Sequence, residues 1–182
     1  MENLSVYENL FIKADSLISE GKLAEAKELL EDILEQCPDF GKAHNHLGWI
    51  HYNKLSNHEK GLYHYKLAMK FDPKYPAPYL NYAYLLVDLG RYSEAKEHIR
   101  LTFATGDNID YCNFYSELGR IAELEREFTL AYQYYKKSRD LAFNAQFIEN
   151  MKINSRRVCD KMSIFEKLKI KFNKKYKDGN RT

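Results

Sequence analysis

The sequence predicts an all-α fold: an α-solenoid of about four helix pairs, closed by a capping helix and followed by a basic helical tail. Three registered series of residues predict it. Small residues recur at Ala14, Gly48, Ala83 and Gly119, at intervals of 34, 35 and 36. A second small-residue series, Ala26, Gly61, Ala95 and Ala131, steps by 35, 34 and 36, and Pro38 and Pro73 are 35 apart. One period shared at fixed offsets marks one structural unit repeated. The small residues suit close helix crossings, where backbones approach to 8–10 Å and larger neighbours fill the space beside the contact.

The elements follow in order. Repeats are placed at about 7–40, 41–75, 76–111 and 112–145. In their first helices the apolar stripe recurs at helical spacing: Leu10, Ala14 and Leu17; His44, Leu47, Gly48 and His51; Tyr79, Tyr82, Ala83 and Leu86; Tyr115, Leu118, Gly119 and Ala122. The second helices carry Ala26, Leu30 and Ile33; Gly61, Tyr65 and Ala68; Ala95 and Ile99; Ala131 and Tyr135. Gly21, Gly90 and the Leu55-Ser56-Asn57 stretch stand where first helices should turn, and Pro38 and Pro73 where second helices should end. No segment alternates with period two as a strand would. Residues 146–161 continue in helical phase as a cap over the last apolar face.

These residues resemble the tetratricopeptide repeat, whose pattern pairs a Leu-Gly step and a Tyr in the first helix and turn with Ala, an aromatic and a closing Pro in the second. The likeness covers about residues 7–145. The second repeat carries it best, with Leu47-Gly48, Tyr65, Ala68 and Pro73; Lys13 departs from the pattern in the first repeat, and the fourth lacks its Pro.

The resemblance implies a concave groove lined by the first helices, and with it a non-catalytic scaffold or adaptor that binds a peptide or helix of a partner protein. The face that the stacking pattern leaves over runs through Glu8, Phe11, Asp15 and Ile18; Lys42, Asn45, Trp49, Tyr52 and Asn53; Ala77, Leu80, Asn81, Tyr84, Val87 and Asp88; and Asn113, Ser116, Glu117, Arg120 and Glu123. Of these, Phe11, Asn45, Trp49, Tyr52, Asn53, Asn81, Tyr84 and Arg120 are the candidate groove residues. The aromatics offer rigid contact area and the asparagines can pair with an extended backbone. Packing inside the solenoid is the competing role for Trp49 and Tyr52. The resemblance also implies where a carboxylate clamp for chaperone C-termini would sit, as Lys, Asn, Asn, Lys and Arg at set groove positions; this chain offers Asn81 but has Phe11, Asp15, His46, Asn113 and Glu117 at the others, which argues against that partner.

Other functional classes find no support. There is no GxSxG, HExxH, P-loop or dinucleotide fingerprint, so no enzyme, cofactor or small-molecule substrate is expected. His44, His46, His51, His58 and His64 crowd into one repeat, but His44 to His51 is an i, i+7 interval with no ligand in phase, so no metal is expected either. Cys37, Cys112 and Cys159 are too scattered for a zinc site or disulfide framework. The opening residues lack the pattern of a secretory signal, and no run of apolar residues is long enough to span a bilayer, so the cytoplasm is the expected compartment.

The 182 residues carry a net charge of +2 that conceals an asymmetry. Residues 152–182 hold eleven Lys or Arg against Asp160, Glu166 and Asp178, a net +8, which leaves −6 for the body. Within the basic amphipathic tail at 162–182, Ile164, Phe165, Leu168, Phe172 and Tyr176 recur at helical spacing among Lys167, Lys169, Lys171, Lys174 and Lys175. The tail supports an alternative function, a peripheral tether to a membrane or other anionic surface. Packing of the apolar stripe on the cap competes with it. Specific nucleic-acid recognition is not expected, because charge without a groove-reading motif gives only non-specific attraction.

Overall fold

The computed structural model describes residues 2–105 and 109–178, and the side chains of residues 6–105 and 109–171. Every described element is a helix: α1 (Glu2–Ser19), α2 (Leu23–Gln36), α3 (Gly41–Asn53), α4 (His58–Phe71), α5 (Ala77–Asp88), α6 (Tyr92–Thr105), α7 (Tyr111–Leu124), α8 (Phe128–Leu141), α9 (Ala145–Lys161) and α10 (Ile164–Asp178). They fall into two compact units, Met1–Ile109 and Asp110–Thr182.

In the first unit each helix packs on the next in chain order, α1 to α6, and α3 also meets α5. The turns are those the sequence marks. Gly21 at φ +79° and Gly90 at φ +71° take the left-handed conformation open to glycine. The following amides then close each helix end, Lys22 N–H donating to Leu17 O at 2.8 Å and Arg91 N–H to Leu86 O at 2.9 Å. Asn57 caps α4 by accepting from the Lys60 amide at 3.2 Å. The core joins Ala14 of α1, Leu30 and Ile33 of α2, and Ala43, Leu47 and Ile50 of α3, with Phe40 of the intervening turn. It continues through Tyr65, Ala83, Leu85, Leu86 and Ile99.

The second unit repeats the plan: α7 packs on α8 and α8 on α9, around Ala122, Ala131, Tyr135, Met151 and Val158. Its first turn has no glycine. Arg126 adopts φ +63° instead, and the Glu127 amide closes α7 on Ala122 O at 2.8 Å. Asp110 and Asn144 cap α7 and α9. Ser163 and Glu166 cap α10 reciprocally, the Ser163 amide donating to Glu166 Oε2 at 2.8 Å and the Glu166 amide to Ser163 Oγ at 3.3 Å.

Both units make the same close crossing. A Cβ on Gly48 would stand 2.7 Å from the ring of Tyr65, and one on Gly119 2.7 Å from the ring of Tyr135. Each tyrosine therefore lies flat against a bare stretch of helix, which explains why small residues recur at these positions.

Candidate functional site

In the first unit the three first helices, α1, α3 and α5, are laced side by side by polar pairs whose members lie 31 to 36 residues apart. Lys42 Nζ donates to Glu8 Oε1 at 2.8 Å, and His46 Nε2 lies 3.0 Å from Asp15 Oδ1. Between α3 and α5, Asn81 Nδ2 donates to Asn45 Oδ1 at 3.0 Å and the Tyr52 hydroxyl donates to Asp88. Such lacing fixes the rotamers of the face it crosses.

The predicted groove residues occupy that face in different ways. Phe11 is half-buried, edge-on to Phe40 and His46 with ring centroids at 5.8 and 4.6 Å. Trp49 is half-buried, with Lys54 Nζ 5.4 Å from its ring centroid. Tyr52, Asn81 and Tyr84 are half-buried and Asn53 is exposed, its amide donating to Trp49 O at 3.2 Å.

Four residues require correction. Asn45 is 4% exposed and both ends of its amide are committed, to Asn81 and to the Tyr75 hydroxyl at 3.3 Å, so it is a strut between helices and not an open group for a ligand backbone. Val87 and Glu117, expected on the open face, are buried. Glu123, expected there too, is consumed by ion pairs with α9. Arg120 belongs to the second unit, where its Nη1 donates to Glu117 Oε2 at 3.2 Å. It lines a cleft there with Glu123, Arg126, Phe128, Arg157 and Lys161.

Two features escaped the sequence reading. The first is a stack of three imidazoles between α3 and α4. His44 Nε2 donates to Pro38 O at 3.0 Å, which leaves its Nδ1 to accept from His64 Nδ1 at 3.0 Å, and His51 stacks on His64 with ring centroids 5.5 Å apart. Burial first, then the neighbouring His44 and His51, brings His64 down to about 4; burial likewise lowers His44 and His51. Helical spacing could not reveal this stack, because its members come from two helices. Among the described residues no group of His, Cys, Asp and Glu is arranged to hold a metal ion.

The second is Glu123 of α7, which accepts from Arg157 Nη2 at 2.6 Å, Lys161 Nζ at 2.8 Å and the Tyr135 hydroxyl at 3.0 Å. Burial alone would raise this carboxyl, but the three donors outweigh it and hold it at about 2. The interval of 34 residues from Glu123 to Arg157, the same as from Glu8 to Lys42, was the available signal. It shows that α9 stands to α7 as α3 stands to α1.

Cys112 and Cys37 are poorly placed for nucleophilic chemistry. Cys112 donates to Asp110 Oδ1 at 2.9 Å, and burial followed by that carboxylate pushes it up to about 11; Cys37 is raised for the same reasons beside Asp39.

On α10, Ile164, Phe165 and Leu168 are 72%, 82% and 45% exposed, so packing on the cap is not what these residues do. Lys169 and Lys171 are exposed and Lys167 is half-buried, whereas the side chains of Lys174 and Lys175 lie outside the described residues. No described helix is long and apolar enough to cross a membrane.

Comparison with known proteins agrees with this architecture. The family model described as tetratricopeptide repeat matches residues 7–40 and 77–101. The two matched stretches and the helical fold support a protein of the tetratricopeptide-repeat family. No curated protein matches it. Among solved structures it is similar to pilF of Pseudomonas aeruginosa, at 20% identity and a TM-score of 0.70, over 88% of this chain and 76% of that one. It is also similar to a structure of the APC/C hetero-tetramer Cut9-Hcn1, at 17% identity and a TM-score of 0.73, over 88% of this chain and 31% of that one. A thermophilic TPR protein of Thermus thermophilus matches at 17% identity and a TM-score of 0.66, over 87% and 84% of the two chains. At these identities the likeness is one of fold.

Proposed function

We propose that this protein is a non-catalytic adaptor that holds a peptide or a helix of a partner protein against the face of α1, α3 and α5. The fold is that of a protein–protein interaction scaffold. One observation carries the finer reading: half-buried aromatics from successive first helices, Phe11, Trp49, Tyr52 and Tyr84, lie on a face whose polar neighbours are already tied to one another. Aromatic surface that is ordered before binding loses little side-chain entropy on contact, the property expected of binding hot spots. The Cut9-Hcn1 structure is a hetero-tetramer, and a similar fold there is part of an assembly with another protein.

The test is affinity purification from native lysate with the wild-type chain and with a Trp49→Ala/Tyr84→Ala variant that keeps its helical circular dichroism. Loss of a co-purifying protein from the variant supports the reading. Retention of the same partners by the variant sinks it.

A further inference from the structure

We propose that α10 is a docking helix for the surface of an anionic lipid bilayer. Three observations converge on it. Ile164, Phe165 and Leu168 form an apolar patch that the second unit leaves uncovered, with Phe165 82% exposed. The helix is joined to α8 near its first turn, where Thr129 Oγ1 donates to Glu166 Oε1 at 3.3 Å, while Glu166 also caps the helix start. From Lys167 to Lys177 the sequence has six lysines and no acidic residue.

The arrangement of charge around the patch selects the occupant. Over residues 164–172 at helical spacing, Ile164, Phe165, Leu168 and Phe172 fall within an arc of about 100°, with Lys167 and Lys171 toward one edge and Lys169 beyond the other, and past them Lys175 falls within the same arc. An apolar strip bordered by lysines on both sides fits a plane that is apolar below and anionic above: the rings enter the acyl boundary while the lysine stems run up to the headgroups. A second copy of this helix is a poor occupant, because face-to-face pairing would oppose two sets of lysines. No described helix is suited to crossing the bilayer, so the helix lies in the interface plane. This inference is independent of the adaptor reading, whose test concerns Trp49 and Tyr84.

The experiment is co-sedimentation of the full chain with phosphatidylcholine vesicles and with vesicles containing about a third phosphatidylserine. The wild-type chain is expected to pellet with the anionic vesicles only, and less so as salt is raised. Replacing Lys167, Lys169 and Lys171 together by Gln is expected to lower partition about 100-fold, since each lysine near an anionic surface contributes about fivefold. Phe165→Ser/Leu168→Ser, which leaves the charge unchanged and alters only exposed positions, is expected to lower it at least about tenfold. Circular dichroism confirms that each variant is folded. The proposal is overturned if the chain stays in the supernatant, or if Phe165→Ser/Leu168→Ser binds as well as wild type, which would leave charge attraction alone. It is overturned equally if the chain ignores vesicles but light scattering shows a dimer that Phe165→Ser dissociates, or if an acidic protein or nucleic acid binds α10 where vesicles do not.

Discussion

Arg157 of α9 holds Glu123 of α7 at 2.6 Å across the same 34-residue interval that separates Lys42 from Glu8, at 2.8 Å. The two pairs share a register but differ in burial. The Glu123 side chain is 12% exposed against 38% for Glu8, whereas Arg157 and Lys161 are 47% and 46% exposed. Removing the cations therefore leaves a buried carboxylate, while removing the carboxylate leaves cations that water can solvate. Arg157→Gln/Lys161→Gln is expected to cost about 3 kcal/mol, Glu123→Gln about 1–2 kcal/mol, and Glu8→Gln under about 0.5 kcal/mol. Urea unfolding followed by far-ultraviolet circular dichroism measures all three, and a cost for Glu123→Gln above that of the double variant would refute the asymmetry.

Gly48 and Gly119 provide the second prediction. Alanine favours a helix interior by about 1 kcal/mol over glycine, but here the added methyl would stand 2.7 Å from the rings of Tyr65 and Tyr135, which are buried at 0% and 2% exposure. Overpacking of this kind costs about 1–3 kcal/mol. Gly48→Ala and Gly119→Ala should each lower the thermal midpoint; a raised midpoint in either would show that the tyrosine can yield.

What was legible in the sequence, and what was not, follows from the range over which each signal acts. Helix pairing was legible because Gly21, Gly90, Pro38 and Pro73 punctuate locally and because Leu47-Gly48 repeats a contact within one helix pair. The turn at Arg126 was hidden, since nothing local distinguishes an arginine forced to φ +63° from one in a helix. Asn45 was misplaced because its burial comes from Tyr75 and Asn81, which lie 30 and 36 residues away. Apolar periodicity sorts inward from outward positions, but it does not distinguish an asparagine facing a ligand from one bracing the adjacent repeat.

Arg126 supports a prediction of its own. A non-glycine residue in the left-handed region carries backbone strain of about 1 kcal/mol that glycine avoids. Arg126→Gly should stabilise the second unit by up to about 1 kcal/mol, less the entropy that glycine adds to the unfolded chain. Gly21→Ala, at φ +79° with nothing within 4 Å of the added carbon, should destabilise the first unit by a similar amount from strain alone. Opposite shifts in urea midpoint are the expected outcome, and shifts of the same sign would contradict it.

Tyr65 and Tyr135 occupy equivalent places but differ at the hydroxyl. That of Tyr135 donates to Glu123, whereas that of Tyr65 is buried without a hydrogen-bond partner among the described residues. Tyr65→Phe removes an unsatisfied group and should be neutral or stabilising by about 1 kcal/mol, while Tyr135→Phe should cost about 1–3 kcal/mol. Equal losses in the two variants, measured by chemical denaturation, would contradict the distinction.

Acid should weaken the first unit before the second. His64 ordinarily titrates at 6.5 and is held at about 4 by burial and then by His44 and His51, with Lys60 and Lys27 adding to the effect. Above pH 6.5 the ring is neutral whether the chain is folded or not. Between 6.5 and about 4 the unfolded chain takes a proton that the folded stack refuses, so stability falls as pH falls, by about 3 kcal/mol for His64 over the whole window. Glu123 works in a lower window: its carboxyl drops from 4.5 to about 2 on folding, so its contribution to the second unit is intact above pH 4.5 and is lost between there and about 2. Trp49, the one tryptophan in the chain, lies in the first unit and reports on it selectively. The urea midpoint read from its fluorescence should fall between pH 7 and pH 5, and His64→Gln, which removes the titrating ring, should make that slope shallower. If wild type and His64→Gln give the same slope, proton uptake by the imidazole stack is not what destabilises the first unit in acid.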